Sequence, residues 1–246
     1  MIAEFMVRYG SKWFAGGFAL TCLSLITWML TSPIFRIDHL VIVHDPNSST
    51  ALLDETEVLT RLAWVNGKNV FQLDTREVAK QVEAEPSVKW AEVEASIDGQ
   101  LRVFVTYRRP VANWNVAGKS YLVGKEAILL AEGSDSSLSL TIEEIGGETA
   151  AVGQQVNPDA LEVGHKLRKN LPIMGIEPTL ITYSAAGGFL IRDVADREII
   201  FGPPENLMAK LIALKAVLDD AARQGNEVSR IDLRPLERPT YQIRES

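Results

Sequence analysis

The chain has 246 residues, with 25 Lys and Arg against 32 Asp and Glu, a formal net charge of −7. Its mean hydropathy of +0.04 and its 46% apolar residues describe a folding sequence, not a disordered or low-complexity one. The sequence pI near 5.1 argues against a nucleic-acid binder, and the single cysteine, Cys22, excludes a disulfide framework and every multi-cysteine metal site.

From Trp13 to Phe35 no residue carries a charge, a run of 23 positions. As a helix it would reach about 35 Å, enough for a hydrocarbon core of about 30 Å. Trp13 and Trp28 stand near its two ends, where amphipathic rings prefer the headgroup level. Arg8 and Lys12 flank its amino side, while Arg36 and Asp38 nearly cancel on the other. This pattern predicts a retained single-pass anchor with a cytoplasmic tail at 1–12, a membrane-spanning helix at 13–35, and the rest outside the cytoplasm.

Beyond Phe35, Ile37 to Val43 reads as a strand closed by the turn residues Asp45-Pro46-Asn47. Two helix starts of one design follow, Asp54-Glu55-Thr56-Glu57 and Asp74-Thr75-Arg76-Glu77, each an acidic N-cap three residues before a Glu. Val58, Leu59 and Leu62 line the first helix, and Val78 and Val82 the second, which Pro86 ends. Asp98-Gly99 then joins two β runs, Val88 to Ile97 and Leu101 to Tyr107, as a hairpin. Farther on, Asn157-Pro158 caps a helix to about Asn170. Strand patterns stand at Thr179–Tyr183, Phe189–Asp193 and Glu198–Phe201. A helix with Leu207, Leu211, Leu214 and Leu218 on one face stops at Gly225. Pro235 and Pro239 require any last strand to be an edge strand or partly irregular, because proline donates nothing to a ladder.

The β-α-α-β-β order after an apolar run resembles a POTRA domain, and local words sharpen the likeness. Gly67-Lys68-Asn69-Val70-Phe71-Gln72-Leu73-Asp74 resembles the joint between POTRA helices. Pro86 to Val93 is similar to the lead-in to the second strand, and Tyr107-Arg108-Arg109-Pro110-Val111-Ala112-Asn113-Trp114 to the segment after the third. The series resembles the FtsQ/DivIB family of bacterial cell-division proteins. Tyr121-Leu122-Val123 is similar to that family's next strand, and Ile231-Asp232-Leu233-Arg234 to the word that opens its final strands. The resemblance implies an α+β chain: the anchor, a POTRA domain at 36–109, and at 110–246 a mixed α/β domain on a mainly antiparallel sheet. It implies a divisome scaffold at the septum that binds FtsB- and FtsL-like bitopic partners, besides the bilayer through 13–35, and links them to the septal peptidoglycan synthase. By position, the partner-binding candidates are Ile231, Leu233, Arg234, Tyr241 and Ile243. On this reading Leu233→Glu weakens partner binding and leaves the fold intact.

The motifs of chemistry are sparse. Gly118-Lys119-Ser120 resembles the end of a phosphate-binding loop, but Asn113 stands where its first glycine belongs. His39 and His44 have an odd spacing on a strand, which sends them to opposite faces, and His165 stands alone. No His-Glu-x-x-His, Gly-x-Ser-x-Gly or Ser-x-x-Lys occurs, and the carboxylates fall mostly at helix starts or on polar strand faces. Asn47-Ser48-Ser49 matches a glycosylation sequon, which the resemblance to a bacterial family makes incidental. The expectation is a non-enzyme without cofactor or metal. Two alternatives remain: a POTRA protein of translocation or assembly, and a tethered cell-wall enzyme.

Overall fold

The computed structural model describes residues 2–44 and 55–244, with side chains over 16–44 and 58–244. The Asp45-Pro46-Asn47 turn, the sequon and the Asp54 cap lie outside the described residues. The chain divides into two compact units, 1–107 and 108–246.

In the first unit α1 (Ile2–Thr31) leads through a 3₁₀ turn, Pro33–Phe35, into β1 (His39–His44). Then come α2 (Glu55–Arg61), two 3₁₀ turns (Ala63–Val65 and Val70–Gln72), α3 (Thr75–Glu83), β2 (Val88–Ala95) and β3 (Gln100–Tyr107). Asp74 starts α3 by accepting a bond from Arg76 N at 3.0 Å. The sheet order is β1-β3-β2, with β1 parallel and β2 antiparallel to the central strand. Val58, Leu62, Val78 and Val82 pack on Val88, Leu101, Val103 and Val105, so α2 and α3 cover one face. Gly99 turns the β2–β3 hairpin at φ +84°, and a Cβ there would meet Arg36 O at 2.6 Å.

The uncharged run at 13–35 is not one helix. α1 ends at Thr31, and Ser32 caps the Pro33–Phe35 turn, so four of the run's positions lie outside α1. Inside it, glycines and hydroxyls dilute the apolar content: Gly16, Gly17, Thr21, Ser24, Thr27 and Thr31. Among the described residues no helix is long and apolar enough to cross a membrane. The expected membrane-spanning helix, with the single-pass placement and bilayer contact that rested on it, is corrected accordingly.

The second unit is a nine-stranded sheet with two helices. Its strands are β4 (Pro110–Val116), β5 (Lys119–Gly124), β6 (Leu129–Glu132), β7 (Thr141–Glu144), β8 (Pro178–Ser184), β9 (Gly188–Asp193), β10 (Glu198–Gly202), β11 (Val228–Asp232) and β12 (Thr240–Ile243). The order is β12-β11-β10-β9-β8-β7-β4-β5-β6. Five of its eight pairings are antiparallel and three are parallel (β10/β11, β7/β8 and β4/β7), so the sheet is mixed and mainly antiparallel.

The helices α4 (Pro158–Asn170) and α5 (Leu207–Arg223) bury their apolar faces in the same core. Asn157 caps α4 by accepting from Ala160 N at 3.1 Å, with Pro158 at the first helical position. Gly164 lets α4 approach β7 closely: a Cβ there would meet Ile142 Cδ1 at 2.6 Å. In α5 the buried Leu207, Leu211, Leu214, Val217 and Ala221 form the stripe of a helix lying on a sheet. Across the strands, register aligns Ile181, Ile191, Ile199, Ile231 and Tyr241 in one row on the helix-covered face. On the other face the neighbouring row is charged: Glu198 pairs with Arg192 at 3.7 Å and with Arg230 at 3.3 Å. Helices on one face of a sheet, with a charged row on the other, make a two-layer α/β sandwich.

Candidate functional site

A sheet offers a partner its unpaired edge groups, so the two ends of the nine-stranded sheet are the places to look. At the β6 end the chain itself pairs with the start of the strand. Leu129 N donates to Gln154 O at 2.9 Å, and Gly153 N donates to Leu129 O at 2.8 Å. At the other end β12 has β11 as its only strand neighbour among the described residues.

The ladder fixes which groups face outward at β12. Leu233 N donates to Ile200 O at 2.8 Å, so positions 231 and 233 bond toward β10 and positions 230 and 232 toward β12. Asp232 pairs with Thr240 and Arg230 with Gln242, and Arg244 N returns to Glu227 O at 2.8 Å. By alternation Tyr241 and Ile243 turn their N–H and C=O groups to the open side. A bulge at Ser229, whose Oγ donates to Gln242 O at 3.3 Å, adds local twist to this hairpin.

The five candidates divide sharply. Ile231 and Leu233 are both 0% exposed within the core, so neither offers a side chain to a partner. Arg234 is exposed, but its guanidinium holds Asp232, with Nε at 3.0 Å from Oδ1. Its stem also lies over Gly202, where a Cβ would meet Arg234 Cγ at 2.7 Å. The hydrogen bond from Arg234 holds the Asp232 carboxyl below the usual carboxylate range. This pair fastens the ends of β10 and β11. Tyr241 is half-buried, and its hydroxyl donates to Asp220 Oδ2 of α5 at 3.4 Å. Ile243 is 49% exposed. Tyr241 and Ile243 alone of the five stand on the edge strand. Pro235 and Pro239 fall in the β11–β12 connection, outside both strands, and remove no ladder donor.

The residues with chemical potential have structural partners. Lys119 Nζ pairs with Glu132 at 3.1 Å across β5 and β6, and Gly118 turns from β4 into β5 rather than into a helix. His39 lies 3.9 Å from Asp38, while His44 stacks on Tyr107 with ring centroids 5.7 Å apart. His165 is half-buried on α4, and desolvation lowers its pKa. Glu144 accepts the indole N–H of the buried Trp114 at 2.7 Å. Among the described residues no group of three or more His, Cys, Asp or Glu side chains could hold a metal ion. A cleft of about 570 Å³ opens below β11, lined by Met174, Arg197, Leu218, Asn226 and Arg244. Both of its arginines are engaged: Arg197 with Asp193 at 2.6 Å, and Arg244 with Ala195 O, also at 2.6 Å.

The edge at β12 was legible only in part. The prolines mark its neighbourhood in the sequence, but its outward backbone groups follow from a register that no local pattern encodes. Compared with known proteins, the chain matches no protein-family model and no curated protein.

Proposed function

We propose that the chain is a non-catalytic scaffold of FtsQ/DivIB type that takes up an extended segment of an FtsB- or FtsL-like division protein by strand addition on β12. The observation that carries the reading is the open side of β12, where Tyr241 and Ile243 present backbone donors and acceptors while the start of β6 is paired by the chain itself. A strand added there gains main-chain bonds, each worth about 1 kcal/mol net. Its specificity comes from alternate side chains. The row Ile181-Ile191-Ile199-Ile231 ends at Tyr241, so the residue of the partner opposite Tyr241 lies on the covered face and should be apolar. Its neighbours fall on the opposite face, beside Gln242 and the Arg230–Glu198 pair. Through such a partner the chain would be coupled to septal peptidoglycan synthesis.

Calorimetric titration of the full chain with a peptide spanning the extended segment of the FtsB-like protein from the same genome tests this reading. Binding with a Kd of about 1 μM or tighter supports it. So does a loss of roughly tenfold or more when the peptide residue opposite Tyr241 is made charged. A folded chain that binds no such peptide overturns it.

A further inference from the structure

The last carbonyls of an α-helix lack partners within the helix, and how α1 satisfies its own is unusual. Trp28 O accepts locally, from Ser32 N at 2.8 Å. Met29 O and Leu30 O accept instead from Asn69 Nδ2, at 2.9 and 3.1 Å, and Leu30 O also from Gln72 Nε2 at 3.3 Å. Asn69 stands 40 residues downstream of Met29 and is buried. Its Oδ1 accepts from Phe71 N at 2.9 Å, so both ends of the amide are committed and its orientation is unique.

Two further sets of contacts hold the same junction. Arg36 bridges Asn69 in antiparallel fashion, Ile37 N donates to Lys68 O at 2.9 Å, and Gly67 N donates to Ile37 O at 2.8 Å. The rings of Trp28, Phe35 and Phe71 meet edge to face, with centroids 5.9 and 5.2 Å apart. Capping, strand pairing and ring contact thus converge on the few residues between α1 and β1.

We infer that Asn69 is a latch that locks α1 to the three-stranded unit, so that helix and sheet move as one lever. The lever arm is long: 30 helical residues extend about 45 Å. A displacement of the far end of α1 reaches β1 without a hinge between them. The inference stands apart from strand addition on β12 and survives its failure.

Pulsed electron–electron double resonance on the full chain tests the latch, with Cys22 replaced by Ser. Spin labels at Leu20→Cys on α1 and Lys89→Cys on β2 report the lever, while labels at Arg76→Cys on α3 and Lys89→Cys report the unit alone. The lever pair should give one narrow distance distribution. In Asn69→Asp, which keeps the acceptor for Phe71 N but loses the donor to both carbonyls, that distribution should broaden about twofold while the control pair stays narrow. Asn69→Ala should act in the same direction. A broad lever distribution in the parent, or an Asn69→Asp distribution as narrow as the parent's, overturns the inference. So does equal broadening of both pairs, which would make Asn69 a residue of general stability.

Discussion

Leu233 and Ile243 belong to one hairpin, yet a change at each should be read by a different measurement. Leu233 has no exposed surface, so Leu233→Ala should cost about 2–5 kcal/mol in urea denaturation, through lost transfer energy and a residual cavity. Leu233→Glu places a charge in the same core and should unfold the second unit outright. Ile243→Ala should stay within about 0.5 kcal/mol of the parent, because half of that side chain already meets water. Equal effects at the two positions would contradict the assignment of core and edge. The alternation in Ile231-Asp232-Leu233-Arg234 reveals two faces but not which of them a helix covers, since a one-residue slip exchanges them. That is why Leu233 can pass for a partner-binding residue in the sequence while α5 and its neighbours bury it in the fold. Arg234 misleads for a related reason: a charge at a strand end reads as available, and the partner that occupies it, Asp232, is only two positions away.

For whole elements, local chemistry was legible where a single residue performs a local task. Asp74 and Asn157 cap the helices that they announce, Gly225 follows the end of α5, and Asp98-Gly99 turns a hairpin. β7 was not legible, because four residues with alternating polarity carry too little signal and both of its pairings are parallel and distant in sequence. α1 misled in the other direction. An uncharged run specifies apolarity, whereas the end of the helix is decided by Ser32, Pro33 and a capping amide far down the chain. The edge strand gives the sharpest element-level prediction. Gln242→Pro removes a donor that faces β11 and should destabilise the second unit by roughly 2 kcal/mol or more. Ile243→Pro removes a donor that faces outward, so its cost should be smaller. Urea midpoints of the two variants decide it, and the reverse ranking would mean that the register derived for β12 is shifted by one.

On the scale of the second unit, protection should follow place in the sheet rather than place in the sequence. β4, β7 and β8 lie inside the sheet, and β12 is flanked on one side only. Hydrogen–deuterium exchange read by mass spectrometry should find the slowest amides in β4, β7 and β8, and those of β12 among the fastest of the nine strands. Uniform protection from β12 to β6 would contradict that ordering. A sheet partly paired at β6 and open at β12 also has a consequence for assembly. Two copies that joined edge to edge would do so through the same strand on each, about a two-fold axis, and the joined sheet would then have β6 at both of its ends. Growth past two would have to displace the 153–154 segment from Leu129, so this route favours a dimer over a fibre. If β12 takes up a partner strand as proposed, each such dimer would withdraw two of those edges from circulation, making self-association and partner capture competitors for one strand.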